Sequence, residues 1–351
     1  MIATQELHNL GQSLWLDNIT RDLLDNGTLK RYIDELSITG LTSNPTIFEH
    51  AISKSKSYDA EIGRLPASGL SGEELFFELA LQDLTRAADL FAAVHERTAG
   101  NDGFVSLEVS PLLANDTKGS VAAATTLHKR ANRPNLFIKI PGTKEGNPAI
   151  EEAIASGVAI NVTLLFSREH YVASAEAYMR GLERRIATGL SPDVRSVASV
   201  FLSRWDGATM DKVPDQLRDK LGIAIGQQTY KAYRDILASD RWQRPTFSIL
   251  PLLPRQTRST PYLRRPFWPS PIMANWPELF RAMEETVKLF SPIFERQESI
   301  WSSWQLTCNR RAQSPSMNRG KTCSVQSRPR AKSCSTLPES EALARLGAGR
   351  F

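Results

Sequence analysis

Apolar residues gather in short runs along the first 204 positions. The runs are SLWLDNI (13–19), SITGLTSN (37–44), FVSLEVS (104–110), LFIKIP (136–141), AINVTLLF (159–166) and VASVFLSRW (197–205). Each is rich in branched or aromatic residues and short enough to be a strand. Between most of them the period changes. In GEELFFELALQDLTRAADLFAAVHERT (72–98) apolar residues recur three and four apart with no proline, which predicts a long helix. Asn115, Asp116 and Thr117 offer caps for a helix running to about residue 131. Ser167 precedes the helical pattern REHYVASAEAYMRGLERRI, and a further helix is predicted over 215–238.

Strands that are apolar on both faces and joined by helices belong in a parallel sheet. Six such units at this spacing fit a (β/α)8 TIM-type barrel, incomplete after the sixth strand, better than a doubly wound sheet. No glycine-rich phosphate loop follows any strand, which argues against a dinucleotide site. The fold class is therefore α/β.

Composition changes this picture at one place. Residues 1–243 carry 26 Lys/Arg against 31 Asp/Glu, whereas residues 244–351 carry 17 against 7. The net charge of +5 thus hides an acidic body and a basic remainder. The remainder holds all three cysteines (Cys308, Cys323, Cys334), most of the prolines, and no Asp or His. A shift this sharp marks a boundary. We expect a six-unit barrel over 1–243 and a basic Pro/Ser/Arg-rich tail over 244–351, partly disordered, whose composition suits translation in a shifted reading frame. RPTFSILPLLPRQTRSTPYLRRPFWPSP is too proline-rich for a central strand followed by a helix. The cysteine spacing makes neither a disulfide framework nor a zinc site. No apolar stretch is long enough to span a bilayer, and MIATQELHNLGQ lacks a basic, then apolar, leader pattern, so a cytoplasmic protein is expected.

Polar residues interrupt the strands near their C-terminal ends, where barrel active sites lie. Asp17 follows SLWL; Thr42, Ser43 and Asn44 close the second strand; Glu108 interrupts FVSLEV; Lys139 interrupts LFIKIP. Asn161 and Thr163 alternate with apolar neighbours and share a face. Ser199 and Arg204 lie on or after the sixth strand. Singly, most have plain explanations: an Asn or Asp at a strand end is most often a turn or cap residue, and Glu108 could simply pair with Lys139. Lys139 is the hardest to explain that way, because burying an ammonium is expensive. A lysine held out of water is partly a free amine, and a free amine adds to a carbonyl to give a Schiff base. Carboxylates are then needed to move protons.

These segments resemble the transaldolase family. SITGLTSNPTIF is similar to its N-terminal signature and LFIKIPGT to its Schiff-base lysine segment; FVSLEVSPLLANDT and AINVTLLFS are further family blocks, and GQSLWLDNI resembles the bacterial subtype. The resemblance runs from about residue 5 to about 243. It implies a barrel of the class I aldolase kind with Lys139 as nucleophile, Asp17 as the acid/base on the ketose C4 hydroxyl, and Glu108 with Thr163 holding the catalytic water. It further implies that Thr42, Asn44, Asn161 and Ser199 bind a dihydroxyacetone unit and that Arg204 binds the substrate phosphate. The activity implied is transfer of dihydroxyacetone from sedoheptulose 7-phosphate to glyceraldehyde 3-phosphate in the pentose phosphate pathway, with no metal or organic cofactor. Sugar phosphates are the expected partners; nucleic acid and membrane are not, and a homo-oligomer is left open. Two alternatives stand beside it: a fructose 6-phosphate aldolase-like lyase, or an inactive remnant with a basic binding tail.

Overall fold

The computed structural model describes residues 2–64 and 72–244. The expected tail from residue 245 lies outside the described residues.

Six strands run in chain order: β1 (Trp15–Asp17), β2 (Gly40–Thr42), β3 (Val105–Glu108), β4 (Leu136–Pro141), β5 (Ile160–Leu165) and β6 (Ser196–Val200). All neighbours pair in parallel, in the order β1-β2-β3-β4-β5-β6. The helices are α1 (Ala3–Asn9), α2 (Arg21–Asp25), α3 (Thr28–Leu36), α4 (Pro45–Lys54), α5 (Asp59–Arg64), α6 (Gly72–Arg97), α7 (Thr117–Ala131), α8 (Gly146–Ala155), α9 (Arg168–Ala187), α10 (Ser203–Thr209) and α11 (Leu221–Ala238). Each predicted strand is present, and the 72–98 helix is α6. The caps act as their chemistry requires. Asp116 accepts from the Gly119 amide at the start of α7, and Ser167 from the His170 amide at the start of α9.

Two boundaries differ from expectation. The run VASVFLSRW is strand only to Val200, and Arg204 lies on α10. Trp205 and Thr209, four residues apart, are both buried there, so one face of a helix fills the second apolar cluster with Leu164, Phe166, Leu221 and Ile225. The last helix starts at Leu221 rather than 215, after Pro214 and a single 3-10 turn at Asp215–Leu217. The sequence reading also passed over α8, whose Ile150, Ala153 and Ile154 pack inward at three- and four-residue spacing.

The sheet is strongly curled. Neighbouring strands lie about 4.8 Å apart, so β1 and β4 of a flat sheet would be about 14 Å apart. Instead the rings of Trp15 and Phe137 stack at 6.3 Å between centroids, and Phe137 stacks on Phe104 at 4.1 Å. The Trp15 indole sits over Gly40, where any Cβ would meet it at 2.5 Å, and its Nε1 donates to Asp102 Oδ1 at 3.0 Å. From the start of β6, Arg195 reaches back to Asn101 Oδ1 at 3.2 Å, just before β3. These contacts gather aromatic rings toward the N-terminal ends of the strands, while Glu108 and Lys139 lie further along β3 and β4. Outside, the main apolar core joins the outward faces of β3, β4 and β5 to α6, α7, α8 and α9.

Near the first strand a buried network fixes the entry to α2. Arg21 Nε donates to Asp83 Oδ1 at 2.9 Å, the Tyr58 hydroxyl donates to Asp83 Oδ2 at 2.7 Å, and the Arg21 amide donates back to the Tyr58 oxygen at 2.9 Å. The guanidinium lies 4.6 Å from the Tyr58 ring centroid. Burial pushes the Asp83 carboxyl up from its ordinary range, against the pull of Arg21 and of the Tyr58 hydroxyl. Every charged or hydroxyl group here has a partner, which is the condition for keeping it out of water.

Candidate active site

Lys139 sits in the middle of β4, whose six residues are all buried. Only 5 % of it is exposed. Its Nζ lies 3.0 Å from Glu108 Oε2 and donates to the Ser43 carbonyl at 3.0 Å. Glu108 is its register partner on β3 and is buried as well. The simple ion pair weighed from sequence is therefore present. It also puts a carboxylate within hydrogen-bonding distance of Nζ.

On the other side Asn161 is the register partner of Lys139 on β5. Its Nδ2 donates to Ser106 Oγ at 3.0 Å and its Oδ1 accepts from Ser199 Oγ at 2.8 Å. Asn161 thus ties β3 and β6 together across the interior. Two residues on, Thr163 is buried on the same side. Its Oγ1 is buried with no hydrogen-bond partner among the described residues, as is Thr42 Oγ1 at the end of β2. β5 has an irregular register between Val162 and Leu165, with Leu164 at φ 58°. Such a bulge re-aims side chains at a strand end, and a bulky residue at positive φ is costly.

Asp17 ends β1 as the register partner of Thr42 and is exposed. Asn44 is half-buried and caps α4, accepting from the Ile47 amide at 3.0 Å. The plain reading of that asparagine as a cap residue is therefore correct for Oδ1, and Nδ2 is the group left to meet a ligand. Arg204 is exposed on the first turn of α10. The structure thus joins Lys139 to Glu108 and Asn161 to Ser199 directly, links the two pairs through Ser43 and Ser106, and places Thr163 and Thr42 on the strand ends around them. Asp17, Asn44 and Arg204 stand on the same C-terminal side of the sheet without a direct contact to the lysine.

Sequence reading names Ser43 at the end of the second strand without giving it a role, and it misses Ser106. The alternation that set Asn161 beside Thr163 also sets Ser106 beside Glu108, so Ser106 was findable. The role of Ser43 is carried by its backbone carbonyl and hydroxyl, the latter donating to the Ser106 carbonyl at 2.7 Å, and no side-chain pattern announces that. A cavity of about 470 Å³ opens elsewhere, along β6, between Phe104, Phe137, Val197, Tyr178 and Trp242. None of the nine predicted site residues lines it. Its lining is mainly apolar, unlike the surroundings of Lys139. Among the described residues no group of three or more His, Cys, Asp or Glu could hold a metal ion, and no helix is long and apolar enough to cross a membrane.

The fold and the site together define a parallel β/α-barrel protein with a buried lysine–carboxylate centre at the C-terminal ends of its strands. The model of the transaldolase/fructose-6-phosphate aldolase family matches residues 14–267, and the chain belongs to that family. The match starts within the first predicted strand and runs past residue 243. Among curated relatives, a transaldolase of Thiobacillus denitrificans is 43% identical over 258 residues, covering 71% of this chain and 70% of the relative. A transaldolase of Trichodesmium erythraeum is 42% identical over 254 residues, and transaldolase 2 of Nostoc punctiforme 40% over 255; each comparison covers 68% of this chain and 67% of the relative.

Proposed function

We propose that this chain is a transaldolase that carries a dihydroxyacetone unit on Lys139 from a ketose phosphate to an aldose phosphate. The observation that carries the proposal is the buried Lys139 with Glu108 Oε2 3.0 Å from its Nζ. In this reading the amine adds to the C2 carbonyl of sedoheptulose 7-phosphate, and Glu108 takes the proton that Nζ gives up. Water leaves, with Glu108 and Thr163 positioning it, and a protonated imine remains. Asp17 then removes the C4 hydroxyl proton. The C3–C4 bond breaks, its electron pair moves into the imine, and erythrose 4-phosphate departs. The resulting enamine carbon attacks the aldehyde of glyceraldehyde 3-phosphate, and Asp17 returns a proton to the new hydroxyl. Hydrolysis of the imine releases fructose 6-phosphate.

Thr42, Asn44, Asn161 and Ser199 are assigned to the dihydroxyacetone hydroxyls. The buried, unpaired Thr42 Oγ1 and the polar chain Ser199–Asn161–Ser106 support this. Arg204 is assigned to the phosphate, supported by its exposed place after β6. The proposal includes a pentose phosphate role, sugar phosphates as partners and a cytoplasmic site of action, and it needs no metal or organic cofactor.

The family model's own description also includes fructose 6-phosphate aldolase. The relatives cited above are named transaldolases, which favours transfer over simple cleavage. Borohydride reduction in the presence of fructose 6-phosphate, followed by peptide mass mapping, tests the central step. A stable adduct on Lys139 is expected. No adduct there would end the catalytic reading. Adding an acceptor aldose separates transfer from cleavage: a transaldolase turns over only with the acceptor present.

A further inference from the structure

Three buried hydroxyls at the C-terminal ends of the strands have no hydrogen-bond partner among the described residues: Thr42 Oγ1, Thr163 Oγ1 and Ser110 Oγ. The first two already have roles in the proposed reaction. Ser110 has none, and its surroundings rule out the plain explanations. It is 3 % exposed, so it is not a solvated loop serine. It precedes the 3-10 turn Pro111–Leu113, yet its side chain does not cap that turn; the Leu113 amide bonds to the Ser110 backbone carbonyl instead.

Its direction follows from β3. The Val109 amide still donates to the Lys139 carbonyl at 3.1 Å, so the ladder continues one residue past Glu108. Val109 packs into the outer core. Alternation then turns Ser110 inward, on the face of Ser106 and Glu108. Ser106 accepts from Asn161 and Glu108 meets Lys139, so this face lines the interior. Ser110 is one step beyond Glu108 toward the open end. In the reaction proposed above, a dihydroxyacetone unit on Lys139 would sit at the level of Glu108, where the Nζ lies. The other half of the substrate would then lie one level further out.

We propose that Ser110 is a specificity residue whose hydroxyl binds the hydroxyl next to the aldehyde of the incoming aldose. The inference rests on the transfer reaction proposed above. A buried hydroxyl with no partner is costly, and a ligand hydroxyl that both donates and accepts removes the cost when it binds.

The test compares glyceraldehyde 3-phosphate with 3-oxopropyl phosphate, which lacks that hydroxyl, as acceptors for the full chain and its Ser110→Ala variant. Losing one ligand hydrogen bond lowers kcat/KM for glyceraldehyde 3-phosphate by about tenfold. The two proteins should be equal on 3-oxopropyl phosphate. Borohydride trapping of dihydroxyacetone, which has no acceptor half, should not change. Melting temperature should hold or rise, because the variant removes an unpaired polar atom. Equal losses on both acceptors, no loss on either, or a variant that melts several degrees lower would each overturn the assignment. If the unaltered chain traps no dihydroxyacetone on Lys139, the parent reaction falls and this inference with it. Trapping without acceptor discrimination sinks the inference alone.

Discussion

Three of the four inner strands, β3 to β5, differ from the two marginal ones in how they are built. Every residue of β3, β4 and β5 is buried, whereas no residue of β1 or β6 is. Among the described residues β1 and β6 each have a strand on one side only. The candidate chemistry divides along the same line. Lys139, Glu108, Asn161 and Thr163 stand on the inner strands. Asp17 ends β1, Ser199 is on β6 and Arg204 follows it. In the proposed reaction, imine formation falls to the best-packed part of the chain, while carbon–carbon cleavage and phosphate binding fall to its margins.

The largest expected effect separates the two halves chemically. Asp17→Asn should leave borohydride trapping of dihydroxyacetone on Lys139 intact and lower transfer by about a thousandfold, the usual size of a lost general acid/base. Glu108→Gln should slow trapping itself, since Glu108 is the carboxylate beside Nζ. Trapping rates read by mass spectrometry beside steady-state transfer rates check both. If Asp17→Asn abolished trapping too, the division between centre and margin would be wrong.

The same contrast should appear in stability. Ile140 is fully buried on β4, and its truncation to Ala should cost about 3 kcal/mol through lost transfer energy and a residual cavity. Val197 is half-buried on β6, beside the cavity of about 470 Å³. Val197→Ala should cost about 1 kcal/mol or less, because its surroundings are already loosely filled. Urea unfolding of the two variants against the unaltered chain measures the difference. Equal costs would mean that the β6 margin is packed like the centre.

How much of this was legible beforehand follows the same physics. All six strands could be read, because each is a branched or aromatic run beside a helix of different period. The run LFIKIP coincides with β4, Leu136–Pro141. The segment after Val200 was misread because Phe201, Leu202 and Trp205 look apolar enough for a strand; only the burial of Trp205 with Thr209 reveals a helix. Side-chain type singled out Lys139, Glu108 and Asn161, which the structure sets side by side in register on β3, β4 and β5. It could not show that Ser43 contributes a carbonyl, that Asn44 spends Oδ1 on a cap, or that Ser110 lacks a partner. Those are facts about backbone direction and hydrogen-bond accounting, which residue type alone does not encode.

The smallest effect concerns the junction between centre and margin. The Phe166 amide, just past β5, donates to His170 Nδ1 at 3.3 Å, while the Phe166 carbonyl accepts from Trp205 Nε1 of α10 at 2.6 Å. Phe166 also stacks on Phe201, which follows β6, at 5.5 Å. An Nδ1 that accepts must be unprotonated, so the neutral ring carries its hydrogen on Nε2. Burial lowers the His170 pKa below the ordinary 6.5, and nearby Glu169 only partly offsets it. A base with a lowered folded pKa binds fewer protons folded than unfolded. Its contribution to stability is therefore complete above about pH 6.5 and is lost as pH falls from there through the folded value. His128 on α7 is also lowered by burial and acts in the same direction. His170→Asn keeps an acceptor for the Phe166 amide but cannot titrate in this range. It should remove part of the fall in melting temperature between about pH 7 and 5.5, on the order of 1–2 °C. His128→Gln should remove a separate part without touching the Phe166 junction. An unchanged slope in His170→Asn would show that the Phe166 junction does not depend on the histidine's charge, leaving the Trp205 bond and the Phe166–Phe201 stack to support the β5–β6 ladder there.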